Sequence, residues 1–174
     1  QSFHLPLGDI QAASVFVEGH FEKELISAQA TSFTAGSQGA TIYVLMQKGT
    51  GQQVKRAAPG GEGLVMDHFS KAAFEKYRAE FVPLLKQGHA PLRALYNDSY
   101  EVYGANYTPK LFEAFEQLNH YDLRKHLDVL AKKTAESEDD NAIWADYHRT
   151  ISSLLLTEFT QPFAGWIKQM GFVS

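Results

Sequence analysis

The chain has 174 residues, no cysteine and a formal net charge of -4, from 16 Lys+Arg against 20 Asp+Glu. A chain of this size can bury a core without covalent staples, and the lack of cysteine excludes disulfides, thiolate metal sites and a cysteine nucleophile while leaving the compartment open. The charge balance offers no broad basic field for a nucleic-acid backbone, no apolar run is long enough to span a membrane, and no signal-peptide pattern begins at Gln1.

Residues 1–49 have strand character. Apolar and β-branched stretches run from Ser14 to Val17, from Leu25 to Phe33 and from Thr41 to Met46, separated by Gly19-His20 and by Gly36-Ser37-Gln38-Gly39. Antiparallel hairpins are the simplest account of that pattern. A glycine-rich stretch, GTGQQVKRAAPGGEG, then leads to a short apolar run, Leu64-Val65-Met66, ending at Asp67-His68. It reads as a strand with an acid at its tip.

Ser70 is placed to cap the first helix, with Phe69 and Phe74 as a hydrophobic staple and Phe74, Tyr77 and Phe81 on one face. Leu92, Ala94, Leu95 and Tyr96, between Pro91 and the turn-forming Asn97-Asp98-Ser99, read as a buried strand delivering Asp98 and Glu101 at its end. Thr108 is expected to cap a second helix with Pro109 at its first position, and Asp122 a third carrying Leu123, Leu127 and Leu130. Residues 135–140, AESEDD, read as an acidic loop. A last helix from about Asn141 passes Ile143, Tyr147, Ile151 and Phe159, with a kink at Pro162 and a stop at Gly171. A strand, a helix and a second strand in that order argue for a parallel pair joined by a right-handed crossover.

The candidate chemistry lies at the strand ends. In sheets with parallel strands, the loops after the strands' carboxyl ends carry the working residues on a rigid base. Asp98 and Glu101 sit there, among Tyr96, Tyr100, Tyr103 and Tyr107, whose flat rings pack on sugars and whose hydroxyls bond sugar edges. Taken locally, the same residues also fit an Asx turn, a solvated glutamate and packing tyrosines. Lys55 and Arg56 fit either fixed cations that orient a hydroxyl or carboxylate, or a solvated basic pair. The glycine-rich stretch lacks the phosphate-loop pattern, there is no HExxH pair for zinc, no EF-hand frame for calcium, and no GxSxG elbow for a serine nucleophile. Two carboxylates acting on a glycosidic bond are the best chemical fit.

TGQQVKRAAPGGEGLVMDHFS (Thr50 to Ser70) and ALYNDSYEVYGANYTPKLFEAF (Ala94 to Phe115) closely resemble the family 106 glycoside hydrolases, the α-L-rhamnosidase type. NHYDLR (Asn119 to Arg124) and DYHRTISSLLLTEFTQPFAGWIKQMG (Asp146 to Gly171) extend the resemblance in consistent order over about Thr41 to Gly171. It implies an α/β fold, an incomplete (β/α)8 TIM-barrel segment over residues 50–174, preceded by antiparallel β hairpins in a β-rich segment over residues 1–49. It further implies a secreted or periplasmic bacterial enzyme that removes terminal α-L-rhamnose from plant polysaccharides with inversion, with a calcium ion near the sugar. The position matching the family's general acid is Glu101, and Asp98, Lys55, Arg56, Asp67 and Tyr100 are expected substrate contacts. A complete barrel needs about 250 residues, and the family's catalytic base belongs to strands beyond this sequence. Two further readings are a non-catalytic carbohydrate-binding or scaffold fragment and an open-edged sheet that pairs with a second copy.

Overall fold

The computed structural model describes residues 2–4, 10–25, 32–34, 36–37, 39–86, 92–98, 100, 102–132 and 134–173. The architecture is α/β, and the chain divides into two compact units, one of residues 1–48 and 109–150, the other of residues 49–108 and 151–174.

The first unit is organised on β2 (Ile10–Val17), which lies between β3 (His20–Glu24) and β5 (Thr41–Met46), antiparallel to both. Glu18 and Gly19 both adopt positive φ between Val17 and its partner His20, the geometry a two-residue hairpin needs to match strand twist. Two short strands, β1 (Ser2–His4) and β4 (Ser32–Thr34), form a separate antiparallel pair. The expected antiparallel pairing is present, but the strand hydrogen-bonded to β2 through the turn at Gly19 is His20–Glu24, ahead of the expected Leu25 to Phe33, of which residues 26–31 lie outside the described residues. Ala12, Ala13, Ser14, Val15 and Phe16 are all buried, so β2 is covered on both faces, unlike an alternating surface strand.

The helical part of this unit comprises α2 (Leu111–Asn119), a 3-10 turn (Leu123–His126), α3 (Leu127–Ala131) and α4 (Glu138–Leu154) as far as Thr150. Asp122 caps the 3-10 turn as expected, accepting from Arg124 N at 2.9 Å. The Arg124 carbonyl accepts from the buried Ser14 hydroxyl at 2.6 Å, which ties that turn to the sheet. Two expectations need correction. Thr108 does not cap α2: the helix starts at Leu111 after Lys110, and the Thr108 hydroxyl is directed to Asp67. Residues 138–140 are not loop but the first turn of α4, because the Ser137 hydroxyl accepts from Asp140 N at 3.0 Å and acidic side chains suit a helix N-terminus.

The second unit contains α1 (Lys71–Lys86), the end of α4 from Ile151, a π-helical segment (Leu155–Thr160) and α5 (Gln161–Gln169). Ser70 caps α1 as expected, accepting from Ala73 N at 3.3 Å. The position of the kink expected at Pro162 coincides with a change of helix type. Proline supplies no N–H at the start of α5, and the turn before it is wound wide: Gln161 N–H reaches back five residues to the Leu156 carbonyl. Gly171 stops α5 at φ +83°, with Phe172 N bonding Ile167 O at 3.1 Å, a Schellman closure. The core joins Phe74, Phe159, Trp166 and Ile167, with Met66 and Leu95 packed against it.

Residues 92–96 are not a buried strand along their length, since Leu92 and Tyr96 are exposed. Instead, one parallel bridge links Ala94 to Val173, with Leu95 N to Val173 O at 3.1 Å and Val173 N to Arg93 O at 3.2 Å. The parallel partner found for this segment is thus Val173, beyond the end of α5, rather than residues 64–66. Leu64 makes an antiparallel bridge with Gln53.

Candidate functional site

Both apolar runs deliver their following residues to one cleft in the second unit, with a volume of about 450 Å³. Four sequence-predicted residues meet there: Lys55, Arg56, Asp98 and Tyr100. Asp98 is the one carboxylate among the described residues of the lining.

One wall is the glycine-rich loop. Val54 N to Gly63 O at 2.9 Å and Val65 N to Gln52 O at 3.0 Å pinch its base. Inside it, Gly61 N bonds Ala58 O at 2.8 Å, and Arg56 is held at φ +51°, a left-handed conformation uncommon for a residue with a side chain. The loop therefore presents Lys55 and Arg56 from a braced backbone.

The opposite wall is the stretch after Leu95. The Gln52 side chain accepts from Tyr103 N at 2.7 Å, and Lys55 Nζ donates to the Tyr103 hydroxyl at 2.9 Å while lying 4.6 Å from the centre of that ring. These contacts tie the two walls together. Asn97 folds onto the backbone, its amide donating to Asp98 O at 2.7 Å. Tyr100 is fixed by its hydroxyl, 2.9 Å from Thr160 Oγ1. The Thr160 hydroxyl gives its own proton to Leu155 O at 3.2 Å, so Tyr100 is the donor of this pair. The π-helical turn thus anchors an aromatic residue of the cleft.

Asp67 plays a different part from the one expected of a cleft residue. One carboxylate oxygen accepts from Phe69 N at 2.8 Å and the other from the buried Thr108 hydroxyl at 2.7 Å, closing the turn into α1 and fastening the stretch 102–108 at its end. Glu101 lies outside the described residues. Among the described residues no three His, Cys, Asp or Glu side chains gather as metal ligands. No described helix is long and apolar enough to cross a membrane.

His68 lines the cleft and was not singled out by sequence, although it directly follows the strand tip at Asp67. Its ring stands edge-on to Tyr100 at 5.7 Å and to Phe159 at 4.7 Å. Burial pushes its pKa below the ordinary 6.5, outweighing the neighbouring Asp67 carboxylate and the Met66 backbone, which raise it.

A family model described as alpha-L-rhamnosidase, glycoside hydrolase family 106, matches residues 31–173. This chain belongs to that family. A solved rhamnosidase from Novosphingobium sp. PP1Y is similar at 30% identity with a TM-score of 0.61, the match covering 69% of this chain and 12% of the solved one. A Formosa agariphila protein named "Putative beta-glucuronidase" is 33% identical over 131 residues, 70% of this chain and 11% of that protein. The family 106 chain described here therefore spans about one ninth of the length of the relatives it matches. The matched region includes both cleft walls and the π-helical turn.

Proposed function

We propose that this chain supplies the first part of a (β/α)8 catalytic barrel to an inverting α-L-rhamnosidase, secreted or periplasmic, that removes terminal α-L-rhamnose from plant polysaccharides. The observation that carries this reading is the convergence of Lys55 and Arg56, from the glycine-rich loop, with Asp98 and Tyr100, which follow the parallel bridge of Ala94 to Val173, on one cleft. Parallel strands whose following loops converge on a pocket are the arrangement on which barrel enzymes are built.

In this reading Glu101, one residue beyond the anchored Tyr100, is the general acid that protonates the leaving glycosidic oxygen. Lys55 and Arg56 donate hydrogen bonds to sugar oxygens, Asp98 accepts from a hydroxyl, and Tyr100 offers a ring face to the apolar face of the sugar. Asp67 serves the sugar indirectly by holding the stretch 102–108 in place. Inversion requires a second carboxylate about 6.5–9.5 Å from the acid, with room for a water between them. Asp98 is too near Glu101 in sequence to be that base, which the reading assigns to later strands. Calcium remains part of the family expectation, and no step here runs through it.

A second reading has one observation in its favour. With a single carboxylate among the described lining residues, the cleft suits holding a sugar better than cleaving it, as in a non-catalytic carbohydrate-binding or scaffold segment. Release of p-nitrophenol from p-nitrophenyl α-L-rhamnoside, with calcium present, by the chain and by Glu101→Gln separates the two. Turnover that disappears in Glu101→Gln supports catalysis with Glu101 as acid. No turnover from either supports the holding role for this chain, and equal turnover from both removes Glu101 from the mechanism.

A further inference from the structure

We propose that an apolar cavity adjoining the cleft receives the C6 methyl group of the bound sugar, and that Val102, Ala105, Ile151 and Leu155 thereby select a 6-deoxy sugar. The assignment rests on the carbohydrate reading above and adds to it the residues that read one group of the sugar.

The cavity has a volume of about 200 Å³ and shares His68, Tyr100 and Val102 with the cleft, so the two spaces adjoin along one wall. Their chemistry differs. The cleft presents Lys55, Arg56 and Asp98, whereas no Lys, Arg, Asp or Glu is among the described residues that line the cavity. Val102, Ala105, Ile151 and Leu155 line it instead, together with the buried Phe69. Ile151, in the last turn of α4, and Leu155, at the start of the π-helical segment, stand i to i+4 and so share one face. Of the polar residues around the cavity, Tyr100 gives its hydroxyl proton to Thr160, burial favours the uncharged form of His68, and Ser152 is exposed. The walls are also fixed in advance, Phe69 by its N–H bond to Asp67 and Tyr100 by its bond to Thr160. A preformed apolar space beside a few polar groups is how a small-molecule site orients its ligand.

α-L-Rhamnose has the matching asymmetry, with hydroxyls around its ring and, at C6, a methyl group where a hexose carries hydroxymethyl. With the hydroxyls on the charged residues of the cleft, the methyl group has an apolar space beside it to fill, and burying one such group favours binding by about fourfold. The cavity is roomier than a methyl group and admits hydroxymethyl by size. Selection therefore works through polarity, because a C6 hydroxyl entering the cavity gives up water for apolar walls.

The test is calorimetric titration of the full chain with methyl α-L-glycosides that differ only in the group on C5: the rhamnoside (methyl), the mannoside (hydroxymethyl) and the lyxoside (hydrogen). The rhamnoside is expected to bind about ten- to hundredfold more tightly than the mannoside, the range an added hydroxyl costs in an apolar pocket, and about three- to tenfold more tightly than the lyxoside. Val102→Thr, which puts a hydroxyl on the wall at nearly equal volume, is expected to shrink the preference over the mannoside by about threefold or more. Ala105→Leu, which fills the cavity, is expected to erase the advantage of the rhamnoside over the lyxoside. Thermal unfolding establishes that each variant is folded; should one not fold, the other and the wild-type series decide. Equal binding of the rhamnoside and the mannoside by the wild type, or of the rhamnoside and the lyxoside, would overturn the assignment and leave the carbohydrate reading standing. Unchanged preferences in the folded variants would overturn it too, since the methyl group is then read elsewhere. No binding of any of these glycosides by the wild type would remove the carbohydrate reading and this assignment together.

Discussion

Asp67→Ala is the sharpest test of how the cleft is held. The substitution strands two donors at once, Phe69 N and the Thr108 hydroxyl, and both residues are buried, Thr108 at 1% exposure and Phe69 at 8%. A hydrogen bond to a charged group is worth about 1.5–3 kcal/mol, and losing its acceptor leaves the donor with an uncompensated desolvation cost. The expected loss is about 3 kcal/mol, allowing for local relaxation. For a chain of this size that is about 6–12 °C in unfolding temperature. Thr108→Val, which removes the hydroxyl but leaves Asp67 its bond to Phe69 N, is expected to cost about 1 kcal/mol. In the double variant no hydroxyl is stranded, so the two effects should fall short of additivity by about 1–2 kcal/mol. Urea unfolding followed by circular dichroism and by tryptophan fluorescence measures all four corners, and coincident transitions justify the arithmetic. A cost below about 1 kcal/mol for Asp67→Ala, with no coupling to Thr108, would refute the view that this carboxylate fastens the loop.

Phe74 is 1% exposed and makes edge contacts with Phe159, Phe163 and Trp166, so Phe74→Ala is expected to cost about 3–5 kcal/mol by urea denaturation; a cost near 1 would mean that this core collapses around the gap. The pH dependence of stability follows from two histidines, His68 and His126, whose pKa values burial lowers against the pull of Asp67 and, for His126, of Asp128 and Asp122. Because the unfolded chain takes up protons more readily at these sites, their contribution is fully present above the ordinary value of 6.5 and is lost as pH falls through the lowered folded values. His68→Phe should flatten the stability profile just below that pH, and an unchanged slope would contradict the burial argument.

Local chemistry made much of this molecule legible from its residues. Ser70 and Asp122 cap as read, because a cap depends on a few adjacent residues, and the hairpin at Gly19 forms because its turn needs positive φ. Lys55, Arg56, Asp98 and Tyr100 line one cleft, the first two from the glycine-rich loop and the others from the stretch after Leu95. Two misreadings share one cause, competition from residues distant in sequence. Thr108 would have served as a helix cap, but Asp67, forty-one positions earlier, takes its hydroxyl. The run at 92–96 is apolar enough for a buried strand, yet only its centre finds a parallel partner, seventy-nine residues on at Val173. Residues 138–140 looked like loop because their charge hid the cap at Ser137. His68 escaped notice because its place in the cleft and its two aromatic neighbours leave no mark in sequence.

Whether this cleft receives an α-L-rhamnoside can be read residue by residue in an amide-resolved NMR titration of the isotopically labelled chain. Methyl α-L-rhamnoside and methyl β-D-glucuronide are added separately, the second chosen because Lys55 and Arg56 could instead attract a carboxylate and because one relative carries a glucuronidase name. Saturable shifts are expected for the rhamnoside at residues 52–56, at His68 and at residues 97–100, with weaker or absent shifts for the glucuronide. Shifts confined to other residues, or a clear preference for the glucuronide, would contradict binding of a rhamnoside there.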